Sequence, residues 1–200
     1  TYKIGNAPGV EDALNSASHV IKATITNNRV NTNAMETRTS IGLYDQGEQK
    51  YTLYGGNQGP NRVREEIAHE LLKVSEAKLQ VIAPDVGGGF GMKGGAFGED
   101  ILVLWGAKAT GRPVKWVGDR LESFMSDSHG RDVIADCEMA FDDDGKITGL
   151  RISADYNVGA YLSPNAGVSP MFFSILLSGV YAIPAIDVTT RCLFTNMGAT

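Results

Sequence analysis

The stretch "APDVGGGFGMKGGAFGED" (residues 83–100) carries seven of the chain's 24 glycines and follows directly on the short apolar run "KLQVI". Glycine reaches backbone conformations closed to other residues and lets a second group approach the main chain closely. Three readings compete for it. A phosphate-binding P-loop needs Gly, four residues, then Gly-Lys-Ser/Thr; here Lys93 follows Met92 and precedes Gly94, so the pattern fails. The dinucleotide fingerprint G-x-G-x-x-G is met by Gly89 to Gly94, with a strand before, a helix after and Asp119 where a ribose-binding acid could stand. Three features oppose it. Pro84 interrupts what should be a central strand. The helix signals begin near Glu99, too late to aim a helix N-terminus at a phosphate. The motif also belongs at the first strand of a doubly wound sheet, yet about eighty residues of other structure come first. In the third reading Gly87, Gly88 and Gly89 form a backbone cradle, with Phe90 as a flat apolar wall that a merely flexible loop would not need. A glycine run alone does not name what it cradles.

The rest of the chain narrows the classes. Two hundred residues, 42% hydrophobic and 20% charged, suit one soluble domain with a sizeable core. A net charge of −5 without a Lys/Arg cluster gives no footprint for nucleic acid. No apolar run approaches the roughly 20 residues of a membrane span, so a cytoplasmic protein is expected. Cys137 and Cys192 stand alone and are expected as small apolar core residues, without a zinc or iron–sulfur framework. Ser128-His129-Gly130-Arg131-Asp132 is expected as a polar loop, since adjacent side chains do not converge as a catalytic triad must.

The opening "GVEDALNSASHVIKATITNNRVN" reads as a short helix, with Val10, Ala13 and Leu14 at helical spacing, followed by a strand from about Val20. Two strands, "RTSIGLYD" and "KYTLYGG", are joined at Asp45-Gln46-Gly47. Asn61 to Leu72 should be a helix burying Val63, Ile67 and Leu71 on one face. "KLQVIAP" and "PVKWV" read as strands, and between them Glu99 to Ala109 reads as a helix with almost no polar side, expected to be buried nearly all round. Val133, Ala135, Cys137, Met139 and Phe141 alternate with more polar neighbours and turn at Asp144-Gly145 into "KITGLRISADY", a hairpin. Strands mixed with a few packed helices, without strict alternation, make the fold class α+β with mixed sheets. Residues 1–19 are expected as a linker and short helix from a preceding domain and 20–200 as the first part of one domain. The start at Thr1 and the stop at Thr200, just after the strand-like "VTTRCLFTN", suggest a piece of something larger.

Several segments in order carry a resemblance. "VIAPDVGGGFGMK" resembles the signature of the molybdenum hydroxylases, the family of xanthine dehydrogenase, aldehyde oxidase and the large subunit of aerobic carbon monoxide dehydrogenase. "TNAMETRTSIGLYD" (32–45) resembles the family's N-x-M-E-P-R region, with Thr37 in place of proline. "TLYGGNQGPNRVREEIA" (52–68), "GRPVKWVGDRLESFMSDSHGRD" and "DGKITGLRISADYNVGAYLS" follow in the family's order, so the resemblance runs from about residue 15 to the end.

The resemblance implies the first part of a molybdopterin-binding domain. Molybdenum would be held through the dithiolene of a pterin, in the bacterial form a cytosine dinucleotide. Water-derived oxygen would enter a substrate, and electrons would leave through iron–sulfur clusters and FAD in partner subunits or domains, the complete complex being a dimer. Gly88, Gly89, Phe90 and Gly91 match the stretch lying against the cofactor. Gln58 matches the glutamine whose amide hydrogen-bonds an oxygen ligand of molybdenum, a contact that involves no direct protein ligand to the metal. Purine-oxidising members carry a glutamate after "GGGFGGK", where this chain has Gly94, so the aldehyde-oxidase-like or carbon-monoxide-dehydrogenase-like branch is expected. The family's A-Y-R loop and general-base glutamate would fall beyond Thr200, so no catalytic residue is assigned and the chain alone is expected to be inactive. The remainder of the large subunit becomes a partner, and Met171-Phe172-Phe173 is a candidate for a face exposed toward it. Two other classes stay open: a non-catalytic interaction domain that keeps an empty cradle, and a Rossmann-like dinucleotide binder.

Overall fold

A computed structural model describes residues 1–163, 166 and 168–200. In chain order the elements are β1 (Tyr2–Gly5), α1 (Ala7–Ser16), β2 (His19–Asn27), β3 (Val30–Asn31), β4 (Thr39–Asp45), β5 (Lys50–Gly55), α2 (Pro60–Glu65) running into a π-helical segment (Glu66–Leu72), a 3-10 turn (Glu76–Lys78), β6 (Leu79–Ile82), α3 (Gly98–Thr110), β7 (Val114–Val117), α4 (Arg120–Ser126), β8 (His129–Gly130), β9 (Val133–Phe141), β10 (Ile147–Gly159), α5 (Val168–Ile175) and β11 (Ile186–Phe194). The fold is α+β and divides into two compact units: Thr1–Val30 with His129–Thr200, and Asn31–Ser128.

The first unit is built on a five-stranded sheet in the order β1-β11-β10-β9-β2, parallel only between β10 and β11. Alternation along β9 and β10 sends Val133, Ala135, Ile152, Ala154 and Tyr156 into one core, as the period of a half-buried strand requires. The β9–β10 turn closes where expected, with Gly145 at φ 75° and Asp142 Oδ1 accepting from the N–H groups of Asp144 and Lys146. The opening residues hold a strand that their composition does not announce: β1 pairs antiparallel with β11, Tyr2 opposite Thr190, and α1 packs on β10 and β11. Met171-Phe172-Phe173 divides, Phe173 meeting the Tyr156 ring edge-on in the core while the other two are exposed. Cys137 is partly buried, but Cys192 is exposed, because the last four residues of β11 lie outside the core.

The second unit is built on a four-stranded mixed sheet, β6-β5-β4-β7, in which β5 and β6 run parallel and the other neighbours antiparallel. A doubly wound sheet is mostly parallel, whereas only β5 and β6 run parallel here, and the glycine motif follows an edge strand and precedes α3 by several residues, so the described residues do not form the dinucleotide-binding fold. Two burial expectations change. The helix after Pro60 opens into π geometry at Glu66, and the wider turn swings Leu71 out, to 52% exposure, while Leu72 packs against the core. Along α3 only Val103, Leu104 and Ala107 are buried; Leu102 and Trp105 lie on its outward side, since the helix covers one face of the sheet and is not sandwiched within the unit.

The approach of α3 to the sheet depends on Gly42 in β4. A Cβ there would lie 2.5 Å from the carbonyl carbon and oxygen of Val103. Gly42→Ala is therefore expected to destabilise the protein by about 1–3 kcal/mol through overpacking, read as a lowered urea midpoint; an unchanged midpoint would mean that the helix can stand off at no cost.

Candidate functional site

All the residues singled out for the cradle lie in the second unit. β5 ends at Gly55, and Gly56, Asn57 and Gln58 lead into α2, whose first residue is Pro60. The N–H of Gln58 donates to the Lys93 carbonyl at 2.9 Å, and its side-chain Oε1 accepts from the Gly91 N–H at 2.9 Å. The side chain of Gln58 thus lies along the glycine loop. Gly89 must lack a Cβ for this to happen: one built there would sit 2.5 Å from Gln58 Cδ.

The loop holds three residues at positive φ, Gly88 (103°), Phe90 (51°) and Gly91 (94°), with Gly89 at negative φ between the first two. Switches of handedness of this kind occur where backbone N–H groups form anion-binding concavities. Within the loop Met92 N–H bonds to Gly89 O at 3.0 Å, while the N–H groups of Gly88, Gly89 and Phe90 have no acceptor among the described residues. The Phe90 ring is 78% exposed. A left-handed conformation at a bulky aromatic costs on the order of 1–3 kcal/mol and persists only where the surroundings enforce it.

The enforcement comes from residues that the resemblance did not single out as site residues. Glu36 Oε2 accepts from the Gly87 N–H at 3.0 Å and from Lys93 Nζ at 2.7 Å, and the Glu36 N–H donates to Gly87 O at 3.1 Å. Lys93 is 2% exposed. Partial burial works to raise the Glu36 carboxyl, but the Lys93 hydrogen bond, the Gly87 N–H and the Lys93 charge outweigh it and hold it below its usual value. A carboxyl held low contributes stability that is present above its unfolded value and lost as pH falls through the folded one. Two further anchors fix the surroundings. Arg120 on α4 donates to Asn33 Oδ1, Ala34 O and Met35 O, fastening the segment that carries Glu36. Glu66, first residue of the π segment, accepts from the Ala96 N–H at 2.9 Å and so holds the loop's exit.

Behind the loop, Arg38 is buried under the Phe97 ring, 4.0 Å from its centroid, and binds Asp127, Ser126 and Glu99. Asp100 accepts from Ser40 Oγ and from the Phe97 N–H, capping α3; burial pushes its carboxyl up, against those bonds and the Arg38 charge. A small cavity lined by Arg38, Ser40, Asn57, Lys93 and Asp100 lies here, and Asn57 Oδ1 is buried without a donor.

The structure therefore brings Gln58, Gly88, Gly89, Phe90 and Gly91 together. Glu36 and Arg38 were legible only as members of the "METR" segment, and Lys93 only as the end of the glycine motif; nothing in their spacing told that 36 and 93 pair. Asp119 is the N-cap of α4, its side chain accepting from the Glu122 N–H, and is occupied by that role. Among the described residues no cluster of three or more His, Cys, Asp or Glu side chains could hold a metal.

A family model described as the molybdopterin cofactor-binding domain matches residues 1–200. The nicotine 6-hydroxylase large subunit of Paenarthrobacter nicotinovorans is 34% identical over 196 residues, 95% of this chain and 24% of that protein. The carbon monoxide dehydrogenase large chain of Afipia carboxidovorans is 31% identical over 98% of this chain and 24% of its own length. Among solved structures, the reconstituted CO dehydrogenase from Oligotropha carboxidovorans superposes with a TM-score of 0.90 at 30% identity, covering 99% of this chain and 25% of that one. Quinoline 2-oxidoreductase from Pseudomonas putida gives 0.90 at 29% identity with the same coverage. The chain spans about a quarter of the length of these relatives. It belongs to the molybdopterin cofactor-binding domain family of the molybdenum hydroxylases.

Proposed function

We propose that this chain forms one wall of the active site of a molybdenum hydroxylase large subunit, with Gln58, Gly88, Gly89, Phe90 and Gly91 lying against the molybdopterin. The observation that carries the reading is the orientation of the Gln58 amide. A backbone N–H can only donate, so the atom facing Gly91 is the amide oxygen, and the NH₂ end is turned away from it. That end has no acceptor among the described residues. Gln58 thus offers a neutral donor at fixed orientation, and the N–H groups of Gly88, Gly89 and Phe90 offer three more beside it. Neutral donors suit an electron-rich redox group, because they hold and polarise it without adding a charge. This fits the group that the family binds.

When bound, molybdenum in its pterin dithiolene supplies the two-electron chemistry by which water-derived oxygen enters the substrate. The chain's own part is to bind and orient. The loop amides hold the cofactor's edge, Phe90 presents an apolar face that limits water, and Gln58 fixes a hydrogen bond at a known position. Gly94, with no side chain, provides no carboxylate beside the loop for a purine, which favours the branch of the nicotine, quinoline and carbon monoxide enzymes. The cofactor is proposed in its cytosine dinucleotide form, with iron–sulfur and flavin partners, in a cytoplasmic complex assembled as a dimer. Among the described residues no helix is long and apolar enough to cross a membrane. The 200 residues by themselves are proposed to be inactive, the proton-accepting group being supplied from outside them.

Elemental analysis of the native complex should find near-stoichiometric molybdenum per copy of this chain, with iron; metal-free protein from a molybdenum-replete host would favour an interaction domain with an empty cradle. Gln58→Ala in the complex should lower kcat/KM by about 10- to 100-fold with an unchanged thermal midpoint, as loss of one orienting hydrogen bond near a metal typically does. Wild-type turnover would remove Gln58 from the site. Gly89→Ala should have a similar effect by pushing the Gln58 side chain off Gly91, detectable as lowered molybdenum occupancy even before turnover is assayed.

A further inference from the structure

Glu36 has one geometry that neither cofactor contact nor ordinary ion pairing requires. A single oxygen, Oε2, receives the Gly87 N–H at the loop's entrance and the Lys93 ammonium at its exit, 3.0 and 2.7 Å away. The chain between those two points contains Gly88, Gly89, Phe90 and Gly91, with its three left-handed residues. Tying entrance and exit to one atom fixes the span of the loop, and a fixed span is what keeps Phe90 in a conformation it would otherwise leave. Space for the tie is provided by two glycines: a Cβ on Gly87 would come within 2.5 Å of Glu36 Cβ, and one on Gly56 within 2.9 Å of Glu36 Oε2. The segment bearing Glu36 is itself immobilised by Arg120 through three hydrogen bonds.

We propose that Glu36 is the positioning residue of the cofactor loop, acting with Lys93 and braced by Arg120, and that without it the loop relaxes and releases the cofactor although the fold persists. This rests on the loop being the cofactor's seat, as proposed above.

The test uses the native complex with Glu36→Met/Lys93→Met, which removes both charges together and leaves no buried ion unpaired. The thermal midpoint should stay near that of the wild type, while molybdenum and fluorescent oxidised pterin retained after gel filtration fall by about tenfold or more. If the pair mattered only as a buried charge balance, the double variant would keep both its stability and its cofactor, and the proposal would be overturned. Should the double variant fail to accumulate, Lys93→Met decides: it leaves the Glu36 carboxylate, partly exposed and still receiving the Gly87 N–H, but unties the loop's exit, and pterin release should be about tenfold faster at a near-wild-type thermal midpoint. Release at the wild-type rate sinks the idea. A wild-type complex that holds no molybdenum or pterin would instead overturn the cofactor reading itself, so the two failures are told apart.

Discussion

The second unit is organised by a lysine that has almost no contact with water. Removing an ammonium from solvent costs several kcal/mol unless a carboxylate and further hydrogen bonds replace the hydration. Among the described residues Lys93 finds its counter-charge in Glu36, fifty-seven residues earlier in the chain, so the segment before β4 and the segment after β6 must lie side by side. Once they do, the main-chain bond from Glu36 N–H to Gly87 O can form, and the Lys93 carbonyl is presented to the Gln58 N–H. The position of Gln58, and with it the orientation of its amide, is therefore downstream of one ion pair whose cation is buried. A second buried cation, Arg38, repeats the logic behind the loop, where Glu99, Asp127 and the Phe97 ring share its charge.

Packing against the sheet explains why this arrangement is stiff. The core of the unit, Leu53, Val63, Ile67 and Leu104 among others, joins β5, α2, the π segment and α3 into one body. The loop is attached to that body by three polar side chains: Gln58 in the β5–α2 turn, Glu66 on the π segment and Asp100 on α3. An ordinary α-helical turn at Glu66 would have continued the stacking of Val63, Ile67 and Leu71; the π geometry gives up Leu71 to solvent and places Leu72 on the core. Glu66 itself points its carboxylate at Arg62 and at the Ala96 N–H.

How much of this was legible in the sequence follows from the range of the interactions concerned. Local signals suffice for the β4–β5 and β9–β10 hairpins, for a helix beginning within one residue of Asn61, and for α3 between Glu99 and Gly111, because neighbours in the chain set them. Strand β1 was invisible because four residues ending in glycine form a strand only through β11, some 185 residues away. The outward Leu102 and Trp105 were misjudged because an apolar helix reads the same whether it is sandwiched or merely covers a sheet. At the site, the glycines and Gln58 stood out by motif, whereas Glu36, Lys93 and Arg120 are ordinary charged residues until the tertiary fold brings them together.

The glycines themselves show why a motif should not be attributed wholly to its ligand. Gly89 is small to admit Gln58, Gly87 to admit Glu36, and Gly56, outside the motif, to admit Glu36 from the other side. Only Gly88 and Gly91 are demanded by backbone conformation, at φ 103° and 94°. Half of the run is thus selected by the protein's own side chains and half by the turn that exposes the amides. Phe90 stands between these demands: it takes a positive φ that glycine would adopt more readily, and it keeps its ring in the open. A glycine there would relieve the strain but would also remove the apolar face and loosen the loop. The strain at residue 90 is sustained because the clamp at Gly87 and Lys93 leaves the chain between them no relaxed path.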